Sequence, residues 1–445
     1  SQSRNIPPIT IKENAFTLAM YEEKFINWEK YWEKFDYKKY GRKSELWDSK
    51  FDQIVDKYAV FSLGIKNIYM AESIKKDLLE IINIGCGYPR AWYMFGNLSF
   101  FTEDMVNAKI FVEKSLKSLE ESKFSYFYRF YAANRLMKIY EKINYDFETM
   151  KTIQKKKMRY LALAAADERF TDGNQRYYVA AFLYNFEFNN TNRDLLGIDI
   201  FLDEIKRLEN LDPWIYHIVM GRYHINNGWA ARGTGWAREV SDEGWRIFRS
   251  ELDKAADYLT RAHNMHPEFP EAAQLMITIQ MARSDDLGER AWFDKAIAAQ
   301  FDHFQAYYNY LYALSPKWGG SHQQMLDFGV ACLNTERFDT RVPDVFLQSL
   351  KDISKDYGDE KWYEPFTKEG VYKNVKRYFD GVLKQPVKES DYFKILSRYA
   401  LYAWACGEYE DAKKIRKMVG EKFIPEVASE IKIDPKTFID DLASR

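Results

Sequence analysis

The chain has 445 residues, 46% hydrophobic and 29% charged, with 65 basic and 66 acidic residues for a net charge of -1. That length holds two or three compact domains or one extended repeat array, and the charge balance lacks the basic excess a duplex-binding protein uses to displace counterions, so no nucleic-acid partner is expected. Three scattered cysteines, Cys86, Cys332 and Cys406, argue against a disulfide framework and a structural zinc site, and no apolar run approaches the length of a membrane span.

The aromatic share is high, 17%, with 32 Tyr, 31 Phe and 12 Trp. Rings on this scale build a core, and Tyr and Trp also carry a polar handle suited to grooves and interfaces. The cysteines, set among apolar neighbours, read as small buried hydrophobes. The chain starts at Ser1 with no signal-like apolar block, and the sequons at Asn97 and Asn189 are too common to fix a compartment.

Taken in order, the chain is helical throughout. The opening "EEKFINWEKYWEKF" places Phe25, Trp28 and Trp32 at helical spacing. "AWYMFGNLSFFTEDMVNAKIFVEKSL" pairs Ala91, Trp92 and Phe95 with Met105, Ala108 and Val112 of a following helix. The basic runs "KKYGRK" (38–43) and "QKKKMR" (154–159) are flanked by acids or helical pattern and read as solvated faces. A break is expected at "FNNTNRD" (188–194).

The clearest helical pattern follows a glycine-rich segment. In "LDKAADYLTRAHNMHPEFPEAAQLMITIQMA", Leu252, Ala255, Ala256, Leu259 and Ala262 are three and four apart, and Pro267 and Pro270 end one helix and start the next. The buried face of that next helix is expected at Ala272, Leu275, Met276 and Ile279. The small-large order Ala255, Leu259, Ala262, then Pro267 resembles the second helix of a tetratricopeptide repeat, and Ala296 stands 34 residues after Ala262, the period of that repeat. Ala331 lies another 35 residues on, and "AYYNYLYAL" between them offers Tyr307, Tyr310, Leu311 and Leu314 as one helical face. Ser321 followed by Gln324 reads as a capping box.

Further breaks are expected near 355–370 and at "KQPVKESD" (384–391). Beyond them Leu396, Tyr399 and Ala403 pair with Ala412 and Ile415 across Gly407, and Asp434-Pro435 looks like an N-cap with a first-turn proline. No alternating strand pattern appears. The expected fold is all-α: irregular tetratricopeptide-like stacked helical hairpins, an α-solenoid. Its regions are an N-terminal helical region at 1–85, hairpins at 86–210, a tetratricopeptide-like core at 211–335 and C-terminal hairpins at 336–445.

Two stretches go beyond generic pattern, "NNGWAARGTGWAREVSDEGWRIF" and "LYALSPKWGGSHQQML". They resemble the hallmark segments of a bacterial family of unknown function built from tetratricopeptide-like helices. The resemblance covers Tyr216 to Asn334 most strongly. It implies a helical-repeat fold and carries no activity, cofactor or site residues with it.

For the first stretch two readings stand side by side. "GTGWAR" is neither a dinucleotide fingerprint nor a P-loop. In the structural reading, the glycines permit tight backbone and the rings fold back to seal a hairpin, while Ser241, Asp242 and Glu243 cap and charge a helix start. In the binding reading, Trp229, Trp236 and Trp245 stack a ligand or grip an apolar anchor, and Arg232 or Arg238 meets a carboxylate. Trp318 divides the same way: a plug between hairpins, or, with the amides of Gly319 and Gly320, an anion site.

His263 and His266 lack a third ligand, so no metal is expected, and no cofactor motif is present. The expected role is non-catalytic binding of a protein or peptide on a face lined by first helices, with Tyr307, Tyr308 and Tyr310 contributing. The alternative is a carbohydrate-active helical barrel with a carboxyl pair, for which Asp242, Glu243 and Asp302 lie nearest the hallmark segments.

Overall fold

The computed structural model describes residues 6–12, 14–63, 67–185, 198–233, 235, 237–284, 286–386 and 389–444. Among them are twenty α-helices and no strand. The chain forms two compact units, Ala19–His266 and Ser1–Leu18 with Pro267–Arg445, so it passes from one to the other at Leu18–Ala19 and again at His266–Pro267. The expected break at 188–194 lies outside the described residues.

The Ala19–His266 unit contains α1 (Leu18–Tyr40), α2 (Asp48–Leu63), α3 (Ile68–Asn83), α4 (Pro89–Phe101), α5 (Met105–Glu120) and α6 (Tyr126–Lys142). It continues with α7 (Phe147–Ala164), α8 (Gln175–Asn185), α9 (Ile198–Ile205), α10 (Pro213–Arg232) and α11 (Asp242–Met265). Consecutive helices pair as hairpins, α2 with α3, α4 with α5, α6 with α7 and α10 with α11; the first three lean on one another through α3–α4 and α5–α6, while α9 packs on α7 and α8 on α10.

Helix starts follow from short polar side chains that satisfy orphan amides. Asp104 accepts from the Asn107 amide at 3.2 Å, Asp146 from Thr149 at 2.8 Å, and Asp212, just before Pro213, from Trp214 at 2.8 Å. The α4/α5 pairing is as the spacing predicts, with Ala91, Phe95, Ala108 and Val112 buried. In α11 Leu252, Ala255, Leu259 and Ala262 form the buried stripe. Its partner α10 approaches closely because Gly221 faces Leu259: a Cβ at Gly221 would sit 2.6 Å from the leucine Cγ. Close helix approach is therefore shared between the alanines of α11 and a glycine opposite them.

The second unit holds α12 (Pro270–Arg283), α13 (Asp286–Ala299), α14 (Phe304–Ala313), α15 (His322–Leu333) and α16 (Asp344–Tyr357). Its last helices are α17 (Val371–Leu383), α18 (Glu389–Ala405), α19 (Tyr409–Val419) and α20 (Pro435–Ser444). Pairs form between α12 and α13, α15 and α16, and α18 and α19. The chain start is tied in here as well. Ile9 joins the core, the Phe301 amide donates to the Phe16 carbonyl at 2.8 Å, and Arg290 donates to the carbonyls of Pro7 and Pro8 at 3.0 and 2.9 Å. Helix α12 is buried on nearly every side, not only along Ala272, Leu275, Met276 and Ile279.

One expected register is displaced. Ala296 is fully buried, whereas Ala331 is half-buried and Cys332 takes the interior position. The close approach to α16 is made by Gly329, whose Cβ would stand 2.4 Å from the Ser349 hydroxyl. Asp434 caps α20 as read, accepting from the Thr437 amide at 2.9 Å. No described helix is long and apolar enough to cross a membrane.

Candidate functional site

The Gly-Trp segment is the joint between α10 and α11. Helix α10 ends at Arg232, with Gly233 at a positive φ of 72°. Arg232 is buried and donates through Nη1 to the carbonyls of Gly233 and Gly235 at 3.1 and 3.2 Å. Its guanidinium lies 5.5 Å from the Trp229 ring and 5.4 Å from the Trp245 ring, so the two indoles flank one cation. Both indoles meet buried Phe248 edge-on, at 5.0 and 5.7 Å. The third glycine-tryptophan pair packs tightly too: a Cβ at Gly244 would lie 3.0 Å from the Ala231 carbonyl oxygen.

The structure thus brings Trp229, Arg232 and Trp245 together. Both indoles are half-buried, Arg238 is exposed, and Trp236 lies outside the described residues. Ser241 caps α11 by accepting from the Gly244 amide at 3.0 Å, and Glu243 pairs with Arg246 on the exposed first turn.

"PKWGGS" is the joint between α14 and α15. Gly319 has φ of 87°, and a Cβ at Gly320 would collide with the Leu314 carbonyl at 2.0 Å. Neither amide is available to an anion. Gly319 donates to the Pro316 carbonyl at 3.2 Å and Gly320 to the Ser315 carbonyl at 3.1 Å, which corrects the anion-site reading of this loop. Trp318 is half-buried, 6.1 Å from the ring of exposed Tyr312. Ser321 accepts from the Gln324 amide at 3.2 Å, and the glutamine side chain meets the serine hydroxyl at 3.3 Å, one half of the expected box in altered form.

Tyr307 and Tyr310 do not line an open face. Tyr307 is fully buried with its hydroxyl donating to the Phe301 carbonyl at 2.8 Å, and Tyr310 stacks on buried Phe293 at 4.8 Å. A helical face of rings reads the same in sequence whether it meets solvent or core, and here it meets core. Asp302 accepts the Leu18 amide at 2.6 Å, a backbone-anchoring role.

In the Ala19–His266 unit, the face that first helices present is taken by α1 itself. Trp28 touches Phe127 of α6 at 6.3 Å, Phe170 at 5.6 Å and Tyr177 of α8 at 4.9 Å, and its indole donates to the Arg169 carbonyl at 2.9 Å. Two buried ion pairs join the same interface: Glu33 with Arg90 of α4 and Asp36 with Arg169, each at 2.9 Å with both partners nearly inaccessible to solvent. Burial works against the charge on Arg90, but Glu33 and the surrounding tyrosines outweigh it and hold the guanidinium firmly protonated.

These four charged residues were missed in sequence. The available signal was Glu29, Glu33 and Asp36 at spacings of four and three beside the Phe25–Trp28–Trp32 stripe, where a solvated face would lie opposite the rings. Asn97, one of the two sequons, is buried and donates to the Tyr58 hydroxyl at 2.7 Å.

Compared with models of known protein families and with curated protein sequences, the chain matches none. The fold defines it as an all-α protein of consecutively paired, stacked helices.

Proposed function

We propose that the chain is a non-catalytic helical-repeat protein that binds another protein or a peptide, related to the bacterial tetratricopeptide-like family its two hallmark segments resemble. One observation carries this reading: Trp229 and Trp245 are half-exposed on either side of a rigidly held Arg232, and Arg238 of the same segment is exposed. Large rings fixed before binding lose little freedom on contact, and tryptophan and arginine concentrate binding energy at interfaces. Trp236 belongs to the same stretch, and Trp318 with exposed Tyr312 is a second such edge.

The reading rests on edges of the hairpin joints, since in the Ala19–His266 unit α1 takes up the first-helix face and Tyr307 and Tyr310 are interior. The test is affinity purification from the source cells with wild-type chain, Trp245→Ala and Arg238→Glu. A partner recovered by the wild type and lost by both variants, at unchanged melting temperature, supports it. Full retention of that partner by both variants refutes this edge.

A further inference from the structure

Helix α1 buries Trp28, Glu33, Asp36 and Tyr37 against its unit. Its opposite stripe, Tyr31, Phe35, Lys38 and Lys39, follows helical spacing and faces outward. Tyr31 is 60% exposed, a large ring left in solvent, and Trp32 and Phe35 beside it are half-buried. The three rings hold one another. Tyr31 and Phe35 lie near parallel with centroids 6.0 Å apart, and Trp32 meets each edge-on at 5.3 Å. Buried Arg169 backs Trp32 at 5.1 Å. An exposed platform fixed in this way loses little freedom when it is covered.

The stripe runs directly into the basic segment 38–43. Lys38, Lys39, Arg42 and Lys43 are all exposed, and none forms an ion pair among the described residues. Lys34, on the flank of the same helix, is by contrast paired with Asp52 and Asp56, each at 3.0 Å. Lys39 joins rings to cations, with its ammonium 5.2 Å from the Phe35 ring and 5.1 Å from the Tyr40 ring. The turn that carries Arg42 and Lys43 is pinned at both ends: the Gly41 amide donates to the Tyr37 carbonyl at 2.8 Å and the Ser44 amide to Asp48 at 2.9 Å.

The opposing charges are few. Glu45 lies in the same turn, and Glu168 and Asp36 are the carboxylates whose charge reaches Lys39. Asp36 is already balanced by Arg169, so a positive excess remains. A nucleic acid or an anionic bilayer presents extended negative charge and rewards a basic excess over a whole face, whereas this chain has a net charge of -1. A short acidic peptide needs only the local excess, and an apolar side chain between its carboxylates matches the rings.

We propose that this face of α1 docks an acidic peptide segment, with an apolar side chain against Tyr31, Trp32 and Phe35 and carboxylates on Lys38, Arg42 and Lys43. The proposal rests on the protein-binding reading and names the partner's chemistry, but it uses neither Trp229 nor Trp245.

The test is fluorescence anisotropy of the full chain with short dye-labelled peptides in which Asp and Glu alternate with Leu and Phe. Matched peptides carry Asn and Gln in place of the acids. Saturable binding of the acidic set is expected, weakened by added salt and about tenfold tighter than binding of the amide set. Lys38→Glu with Arg42→Glu should abolish that preference, and Tyr31→Ala should weaken binding several-fold, with ligand-free melts unchanged because all three side chains are exposed. Lys38→Gln with Arg42→Gln serves if the reversal variant fails to fold. Trp245→Ala should bind the peptides as the wild type does, so a failed titration leaves partner capture at the joint standing, and a failed capture leaves the titration standing. No saturable binding of the acidic peptides, equal binding of the two sets, or unchanged affinity in a folded variant overturns the proposal. Tighter binding to phosphatidylserine vesicles or to oligouridylate, lost in the same variants, overturns it too and assigns the face to a bilayer or a nucleic acid.

Discussion

Asp36 on α1 accepts from Arg169 at 2.9 Å, with both side chains almost wholly removed from solvent. The guanidinium also holds Asp167 at 2.9 Å and lies 5.1 Å from the Trp32 ring. One arginine thus fixes the register of α1 against the turn that follows α7. Removing one partner of such a pair leaves a buried charge unsatisfied, which costs far more than the pair itself contributes. Asp36→Ala is expected to lower unfolding stability by about 3 kcal/mol, the low end of that range because Asp167 remains. Urea unfolding checks it, and Asp36→Ala with Arg169→Met should cost less than the sum of the single changes.

The α10/α11 contact makes a packing prediction. Gly221→Ala forces a methyl group against Leu259 and is expected to destabilise by ~1–3 kcal/mol. Leu259→Ala alone opens a cavity and costs ~2–5 kcal/mol. Combined, the new methyl occupies part of the vacated space, so the double variant should be more stable than the sum predicts, as read by denaturant midpoints.

At the second joint, Gly320→Ala has no conformation that clears the Leu314 carbonyl without moving the backbone. A loss of ~1–3 kcal/mol is expected, whereas Lys317→Ala, at an exposed neighbour, should stay within about 0.5 kcal/mol. Equal melting temperatures for the two variants would remove the structural account of this loop.

Glu29 sets a pH dependence. Its carboxyl is raised from 4.5 to about 7 in the folded state, so folding retains a proton that the unfolded chain releases above 4.5. Below the unfolded value the group is neutral in both states. Between 4.5 and about 7 stability falls as pH rises, because the folded chain must keep the proton or ionise in a poor environment. Glu29→Gln removes this slope and should be more stable than wild type at pH 8, on the order of 1–2 kcal/mol after discounting for partial exposure. Melts of both proteins from pH 5 to pH 8 check the sign.

What the sequence made legible was periodic and local. The α11 stripe, the α4/α5 pairing, the Ser241 cap and the Asp434-Pro435 start each depend on residues within one or two turns, and each is present. The misplacements arose where tertiary partners decide. Ala331 keeps the repeat spacing, yet Gly329 makes the close approach because Ser349 stands opposite it. Tyr307 and Tyr310 form a correct helical face whose destination no spacing specifies. Glu33 and Asp36 carry no local sign of burial because their partners, Arg90 and Arg169, lie 57 and 133 positions away. The sequence singles out Trp229, Arg232 and Trp245 as binding candidates and not as a stack of rings around one guanidinium, since the stacking needs the α10/α11 turn to close.

Hydrogen exchange along α1 in the intact chain tests the central claim, that this helix is seated on the first helices of the Ala19–His266 unit by rings and buried ion pairs. Amides from Trp28 to Tyr37 should exchange as slowly as those of α4 and α6, and Asp36→Ala should speed them while α10 and α11 stay protected. Fast exchange of α1 in the wild-type chain, with α4 and α6 fully protected, would contradict the account.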